Sequence, residues 1–388
     1  MRLMPVLLML MCLPACSSDN GSGFVPVSTV IQLPKTGQTL TYKAGDDGDL
    51  QKGVAWPYPR FVEAGDGTVT DTLTGLVWLK NATCFGKKTW AEALAASNLL
   101  ATGACGLSDG SKSGAWRLPN INELNSLVSL GRWNPSIGAM LPTASPADLP
   151  FSGIASAYYW SATTSANSTG QAWCSHFLFG QVNPVSKKNA FNLWPVRNAA
   201  APGVVTLART GQSTSYAAGD DGYHQKGAAW PNPRFTDNGN GTVTDNLTRL
   251  VWLKDANCLD TVAGIERKEA RKYALLPYYD ALVWIRGLTS GACGLSDGSK
   301  SGEWRLPNRL EMQSLLDYSR FNPALPAGHP FNNVQPQGTW TSTVLSYSNF
   351  SFSGDSSWYI YPESGVVNAE SNFNNGEYYI WAVRDAAR

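Results

Sequence analysis

Short apolar runs bounded by polar turns predict a β-hairpin in each half of the chain. Residues 67–71 read Gly-Thr-Val-Thr-Asp and residues 76–79 read Leu-Val-Trp-Leu, with a polar turn between them. β-Branched and aromatic residues in such runs are typical of strands. The same pattern returns at residues 241–245 and 250–253. We therefore expect one hairpin in each half.

A helix is predicted after each hairpin. Residues 90–101 are rich in Ala and Leu and carry Glu92 near their beginning, where a carboxylate favours the helix N-terminus. In the second half the matching helix covers residues 277–288, with Pro277 in its first turn, where the missing N–H of proline is tolerated.

A second helix is predicted after each Trp-Arg-Leu-Pro-Asn sequence. Asn120 and Asn308 are the expected N-caps, and Glu123 and Glu311 stand three residues later, at capping-box spacing. Each half then ends in a Trp-x-Val-Arg strand. The fold class expected for each half is α+β, with two helices against a mostly antiparallel sheet and long loops.

The chain is a tandem duplication of one unit. Residues 36–84 align without a gap to residues 210–258, and residues 103–120 recur at residues 291–308. Two repeats of ordinary domain length indicate a duplicated domain rather than a solenoid. Each copy is expected to fold independently. The predicted division is a signal peptide (1–15), a tether (16–30), a first domain (31–198), a linker (199–209) and a second domain (210–388).

Composition and charge exclude two classes of protein. Hydrophobic residues make up 43% of the 388 residues and there are 15 tryptophans, which argues against disorder. Basic residues number 30 and acidic residues 29. Nucleic-acid binding needs a basic face, so we expect no nucleic-acid partner.

The N-terminus predicts export. Residues 1–15 carry one positive charge followed by an apolar run that is too short to span a bilayer. The run ends in Leu-Pro-Ala before Cys16, which resembles a bacterial lipobox. That resemblance implies a lipid on Cys16, anchorage to a membrane of the bacterial cell envelope, and a periplasmic or surface-exposed location. An ordinary secretory signal with an incidental cysteine is the alternative.

The duplication also restricts the cysteine pairing. Cys84 matches Cys258 and Cys105 matches Cys293. Export implies an oxidising compartment, and pairing within each copy is the scheme that respects the repeat. We therefore predict the disulfides Cys84–Cys105 and Cys258–Cys293, with four reduced buried thiols as the alternative. Cys174 has no counterpart and is expected to be a buried free thiol.

The repeated motifs together resemble one family. Gly-Thr-Val-Thr-Asp-x-Leu-Thr-x-Leu-Val-Trp-Leu-Lys, the cysteine pair, Trp-Arg-Leu-Pro-Asn-x-x-Glu-Leu and the closing Trp-x-Val-Arg resemble the Lcl C-terminal domain, named from a bacterial collagen-like adhesin. The resemblance covers most of both copies. It implies a non-catalytic adhesion domain, which in the adhesin is linked to sulfated glycosaminoglycans. This chain lacks the collagen repeats.

A more distant similarity suggests the fold. Arg-Leu-Pro before a Glu-containing helix is similar to sulfatase-modifying-factor domains, which are C-type-lectin-like. That similarity implies two tandem C-type-lectin-like domains. It also implies the alternative that the protein is an enzyme related to sulfatase-modifying factors.

A serine hydrolase is disfavoured. Gly-Leu-Ser-Asp-Gly, with Ser108 and Ser296, matches the nucleophile-elbow pattern, but it follows a cysteine in a polar loop instead of a strand. The three histidines, His176, His224 and His329, stand at positions that the duplication does not match. A catalytic base would recur with its serine.

Acidic turns provide a weak calcium hypothesis. Each Ala-Gly-Asp-Asp-Gly turn holds two carboxylates, which are Asp46 and Asp47 in the first copy and Asp220 and Asp221 in the second. No EF-hand spacing follows, so turn formation is the preferred interpretation. The histidines have no metal-ligand spacing. We therefore expect no cofactor and keep calcium as a secondary hypothesis.

The loops before the last strand differ between the copies and suggest different ligands. Lys187 and Lys188 are the only charges between residues 151 and 196, whereas the matching region of the second copy is acidic. Lysines could meet a sulfated glycan, and rings such as Trp173, Trp358 and Tyr359 could stack on sugars. The function expected is non-catalytic binding of a polysaccharide or surface partner, with an enzyme or a purely structural envelope component as alternatives.

Overall fold

The structure, a computed structural model, describes residues 30–138, 149–267, 275–345, 356–371 and 376–386. The helices are α1 (Asp47–Leu50), α2 (Trp90–Leu99), α3 (Ile121–Ser126), α4 (Asp221–His224), α5 (Tyr278–Gly287) and α6 (Arg309–Ser314). The strands of the first copy are β1 (Phe61–Glu63), β2 (Thr68–Asp71), β3 (Leu76–Leu79), β4 (Tyr158–Thr164), β5 (Gln171–His176), β6 (Gln181–Ser186) and β7 (Val196–Asn198). Those of the second are β8 (Phe235–Asp237), β9 (Thr242–Asp245), β10 (Leu250–Leu253), β11 (Leu276–Pro277), β12 (Thr339–Val344), β13 (Ser356–Ile360), β14 (Val367–Ser371), β15 (Glu377–Tyr378) and β16 (Val383–Asp385).

The predicted hairpins are confirmed in both copies. β2 pairs antiparallel with β3, and β9 pairs antiparallel with β10. The closing Trp-x-Val-Arg strand returns beside each hairpin, so β7 pairs with β3 and β16 with β10. Each copy therefore contains a four-stranded antiparallel sheet that joins its beginning to its end.

The predicted helices are confirmed with small shifts of their ends. α2 begins after Thr89, where Glu92 completes a capping box, and ends at Leu99. α5 begins one residue later than predicted because Pro277 is its N-cap. Asn120 and Asn308 cap α3 and α6 and accept hydrogen bonds from the third residue of each helix.

A third, larger sheet spans both copies. Its order is β12-β13-β14-β6-β5-β4, so three strands come from each copy. The two sets join at β6 and β14, where Val182 pairs with Val367. Every residue of β12 is buried, as are all but the first of β4, because helices of the fold cover these strands. The halves therefore share a continuous sheet.

Tryptophans build the core of each copy in matching positions. Trp78 meets Trp194 edge-to-face at 5.8 Å in the first copy, and Trp252 meets Trp381 at 5.5 Å in the second. All four indoles are at most 1% exposed. Burying rings of this size provides much of the apolar stabilisation of a domain. The tryptophan-rich composition thus reflects core packing.

The predicted disulfides are present. Cys84 is bonded to Cys105, and Cys258 is bonded to Cys293. Cys174 is free and buried in β5. Such bridges are typical of proteins in oxidising compartments. No helix among the described residues is long and apolar enough to cross a membrane.

The N-terminal segment of each copy bridges the two copies. Residues 31–52 and residues 205–226 each keep contacts to their own copy, because Thr36 accepts the N–H of Leu130 and Thr210 accepts the N–H of Tyr318, both at 2.9 Å, and each also contacts the other copy; we call these the crossing segments. The contacts with the other copy are reciprocal, because Ile31 donates its N–H to the carbonyl of Leu247 at 2.8 Å and Val205 donates to Leu73 at 2.9 Å. The expectation of two independent domains therefore differs from the structure.

The same reciprocity holds at the large sheet. The side chain of Gln38 accepts from the N–H of Val344 at 3.0 Å and donates to its carbonyl at 2.7 Å. The side chain of Gln212 makes the equivalent pair of bonds to Thr164, at 3.0 and 2.9 Å. Each crossing segment thus completes the end of a strand in the other copy.

Candidate functional site

A buried carboxylate lies at each crossing. Asp47 accepts hydrogen bonds from the hydroxyls of Thr36, in its own copy, and Thr343, in the other copy. Burial raises the pKa of Asp47 to about 7, although these two hydrogen bonds lower it. The negative charges of Glu311 and Asp46 contribute to this rise. The protonation of this group therefore depends on the contact between the copies.

The second crossing repeats the arrangement. Asp221 accepts from Thr210 in its own copy at 2.6 Å and from Thr163 in the first copy at 2.7 Å. Burial raises its pKa to about 7, against the effect of the two hydroxyls. The charge of Glu123 also raises the pKa. Two equivalent groups thus titrate near neutrality at the two contacts.

A polar cleft of about 460 Å³ opens where the first crossing segment meets the second copy. One wall is the segment around α1 and Lys52, and the other holds the end of α5, the Trp-Arg-Leu-Pro sequence and β16. We call this the crossed cleft. The charged residues that line it are Asp49, Lys52, Arg286, Glu303, Arg305, Arg384 and Asp385.

Ion pairs fix part of the crossed cleft. Lys52 binds Asp385 across the two copies at 2.7 Å, and Arg305 binds the other oxygen of Asp385 at 2.8 Å. Arg305 also forms a two-point pair with Glu311, at 2.6 and 2.8 Å. Although burial raises the pKa of Asp385, the hydrogen bond from Lys52 and the charge of Arg305 lower it below its ordinary value. These groups are therefore held in their charged forms.

Three exposed charges in the crossed cleft have no ion-pair partner within the described part of the chain. They are Asp49, which accepts the N–H of Gly45 at 2.7 Å, Arg286, at the end of α5, and Glu303, one residue before buried Trp304. Arg384 lies beside them, with its guanidinium over the Trp304 ring at 5.3 Å. One of its nitrogens binds Asp297 at 3.1 Å, and its buried Nε has no partner among the described residues. The cleft thus offers guanidinium donors and carboxylate acceptors that no ion pair uses.

The equivalent crossing in the first copy has a different chemistry. By the alignment of the repeats, Asn98 stands where the crossed cleft has Arg286, and Ala115 stands where it has Glu303. Asp49 is replaced by Tyr223, and Asp385 by Asn198. The duplicated scaffold therefore carries the mixed-charge set at one crossing alone, which makes the other crossing an internal control.

A second cavity, of about 80 Å³, lies at the junction of the two copies. We call it the junction cavity. Its walls contain equivalent residues from both copies, among them Leu33 and Leu207, and Ser126 and Ser314. Residues of both crossing segments line it together with residues of α3 and α6.

The aromatic and lysine residues that the sequence suggested as glycan-binding residues do not line either cavity. Trp173 and Trp358 are at most 2% exposed, and Tyr359 is buried against Tyr378. Such rings cannot act as sugar platforms while the core is folded. Lys187 is half-buried, donates to Thr164 at 2.8 Å and lies 3.7 Å from the Trp90 ring. Burial lowers its pKa to about 8. Lys188 is exposed.

The acidic turns form caps and contacts between the copies. Asp46 accepts from the backbone N–H groups of Tyr42, Lys43 and Asp49, and Asp220 accepts from Tyr216, Ala217 and Tyr223. Asp47 and Asp221 accept from threonine hydroxyls, as described above. Asp46 and Asp220 thus serve as turn caps, and calcium binding stays a prediction.

The aspartate of each Gly-Leu-Ser-Asp-Gly loop has a structural role. Asp109 pairs with Arg197, and Asp297 pairs with Arg384, which ties the loop to the closing strand.

The three histidines contact other rings: His176 that of Tyr158, His224 that of Tyr223 and His329 that of Phe331. Arg117 pairs with Glu123. Cys16 lies outside the described residues.

Sequence reasoning missed the residues of the crossed cleft. Glu303 stands in a segment whose other residues match the first copy closely, whereas Arg286 stands in a helix that matches it only at Ala281 and Leu282. The signal was available in the duplication itself, because charged residues that appear in one copy alone have no duty in the common scaffold. It could not be used without knowing that Lys52 and Asp385 meet.

The comparison with known families agrees with this architecture. Residues 67–197 and residues 241–384 each match the Lcl C-terminal domain. Together these regions make up well over half of the chain, so the protein belongs to the Lcl C-terminal domain family and carries the domain twice. The crossing segments lie outside both matched regions. No curated protein and no solved structure matches the chain.

Proposed function

We propose that this chain is an exported bacterial lipoprotein, anchored through Cys16, whose paired Lcl C-terminal domains bind an acidic polysaccharide without transforming it. The two disulfides support an extracellular or envelope location. Anchorage keeps the binding surface at the membrane, where envelope polysaccharides are concentrated. Each domain would have a C-type-lectin-like fold, which the two helices and the closing strand beside the first hairpin support.

The observation that carries the proposal is the mixed-charge crossed cleft. A concave site with a few convergent polar groups is the usual form of a small-ligand site. The guanidinium of Arg286 can bind a carboxylate or sulfate through paired hydrogen bonds. The carboxylate of Glu303 can accept hydrogen bonds from sugar hydroxyls. An acidic saccharide supplies both kinds of group.

The electrostatics of the crossed cleft favour recognition over catalysis. A general acid or base works best when its pKa lies near the operating pH. The pKa of Asp385 is lowered, and the paired carboxylates Glu311 and Asp385 raise that of Arg305 despite its burial. Both groups therefore keep their charges, which suits a site that orients a ligand.

A glycan array with the full chain tests the proposal. We expect binding to acidic glycans that weakens as salt is added, because the contact is partly ionic. Arg286→Ala should reduce binding about tenfold, the cost of losing a charge-assisted hydrogen bond. The matched control is Asn98→Ala, at the equivalent position of the other crossing, which should leave binding unchanged.

The alternatives give different results in the same experiment. A purely structural envelope component would leave the array blank with folded protein. An enzyme related to sulfatase-modifying factors would convert a substrate, and Arg286→Ala would then change turnover. Equal binding by the Arg286→Ala variant and the parent chain would show that the crossed cleft is not the binding site.

A further inference from the structure

Apolar side chains from both copies line most of the junction cavity. Leu33 and Leu207, at equivalent positions of the two crossing segments, are partly exposed there, and so is Leu310 of α6. Buried Leu73 and Leu316 also line the cavity. Contact of such surface with water is unfavourable, so the cavity favours an occupant with an apolar part.

Two cations stand at equivalent positions of the same cavity. Lys35 follows Leu33 by two residues in one crossing segment, and Arg209 follows Leu207 by two residues in the other. Lys35 donates to the amide oxygen of Gln51 at 3.3 Å, and neither cation forms an ion pair with another residue that the structure describes. No acidic residue of the described ranges lines the cavity. Its lining is therefore positively charged, although basic and acidic residues nearly balance over the whole chain, at 30 and 29.

The backbone of each cation is fixed by the fold. The indole of Trp56 donates to the carbonyl of Lys35 at 2.8 Å, and the indole of Trp230 donates to that of Arg209 at 3.1 Å. A bound anion would therefore have to order two side chains and no loop, which keeps the entropic cost of binding small.

The volume of the cavity limits the size of the apolar part. One water needs roughly 10–15 Å³ of such volume, so about 80 Å³ accepts on the order of six water-sized groups. A methylene group is close to a water molecule in size. The cavity thus has room for a hydrocarbon chain of about six carbons, as follows from the same comparison.

We infer that the junction cavity binds a medium-chain fatty acid, with the hydrocarbon chain against the leucines and the carboxylate paired with Lys35 and Arg209. A guanidinium binds a carboxylate through two parallel hydrogen bonds, and an ammonium adds a compact positive charge. The site shares no residue with the crossed cleft, so the inference stands separately from the acidic polysaccharide proposed there.

Calorimetric titration of the full chain with sodium octanoate, below the concentration at which it forms micelles, tests the inference. Binding should be saturable, and hexanoate should bind about tenfold more weakly because two buried methylene groups are lost. Combining Lys35→Gln with Arg209→Gln should weaken octanoate binding at least tenfold and leave the binding of uncharged 1-octanol unchanged. The matched control is Lys188→Gln, which removes an exposed lysine outside the cavity and should not change the octanoate affinity. Arg286→Ala, in the crossed cleft, should not change it either.

A second variant tests the apolar wall. Leu310→Asn introduces the residue that the first copy has at the equivalent position, Asn122, and should weaken the binding of octanoate and 1-octanol alike. Thermal unfolding shows whether each variant is folded, and Leu207→Ala provides the comparison if the Leu310→Asn variant is not. No saturable binding by the folded parent chain at millimolar octanoate would overturn the inference. Equal octanoate affinities of the parent and the double charge variant, or equal affinities of the parent for octanoate and hexanoate, would overturn it as well.

Discussion

Asp47 of the first copy accepts a hydrogen bond from the hydroxyl of Thr343 in the second copy, at 2.7 Å. The equivalent bond, from Thr163 to Asp221, has the same length and runs between the copies in the opposite sense. Each copy therefore holds the other with the same groups. The duplicated domains behave as an internal dimer joined by segments that contact both copies, and the crossed cleft and the junction cavity lie where those segments meet the other copy.

Replacing both buried carboxylates should change how stability depends on pH. Each has a pKa of about 7 in the folded chain, raised from the ordinary value of 3.8 by burial. Between these values the folded state holds a proton that the unfolded state has lost. The contribution of each group is therefore fully favourable below about pH 4, falls as the pH rises to about 7, and is constant above that. The loss is on the order of 4 kcal/mol for each carboxyl.

The double variant Asp47→Asn and Asp221→Asn provides the measurement. Asparagine keeps an acceptor for the two threonine hydroxyls and does not ionise. In urea unfolding the variant should gain stability relative to the parent as the pH rises from 4 to 7, with no further gain above 7. A difference that stays constant over this range would contradict the account.

Breaking the buried ion pair of α3 should be costly. Arg117 forms two hydrogen bonds of 2.6 Å with Glu123, and the same carboxylate accepts the N–H of Asn120. Glu123→Gln leaves the guanidinium buried without a counter-charge, so the expected loss is about 3–5 kcal/mol. Chemical denaturation measures it, with exposed Glu92→Gln as the control that should lose less. Equal losses in the two variants would mean that the buried pair contributes no more than a surface cap.

Cys174 should be chemically silent in the folded chain. Burial raises the pKa of its thiol well above the ordinary value, so almost no thiolate is present at neutral pH. Iodoacetamide should leave the Cys174 peptide unmodified under native conditions and alkylate it in denaturant, as mass spectrometry would report. Rapid alkylation of native protein would require β5 to be open to solvent.

The local elements could be predicted because their causes are local. The hairpins follow from β-branched residues beside turns, and the capping boxes from Asn120 and Glu123 at fixed spacing. The disulfides followed from the repeat. Mixed helix and mostly antiparallel sheet is confirmed for both halves, while the identity of the fold beyond that stays a prediction.

The contacts of the crossing segments with the other copy could not be predicted, because the duplication offers each segment two equivalent partners, one in each copy. Asp47 could meet Thr163 of its own copy or Thr343 of the other, and both are threonines at equivalent strand positions. Gln38 binds backbone atoms of Val344, and backbone atoms carry no sequence signal. The burial of the candidate rings could not be predicted either, since Trp173 packs on Tyr318 of the other copy at 5.1 Å.

Amide hydrogen exchange followed by mass spectrometry tests the reciprocal contacts between the two copies most directly. The amide of Val344 donates to the side chain of Gln38, and the amide of Thr164 donates to that of Gln212. Gln38→Ala should speed exchange in β12 of the second copy and leave β4 protected, while Gln212→Ala should speed exchange in β4 and leave β12 protected. Faster exchange confined to the copy that carries the substitution would show that the copies are not interlocked.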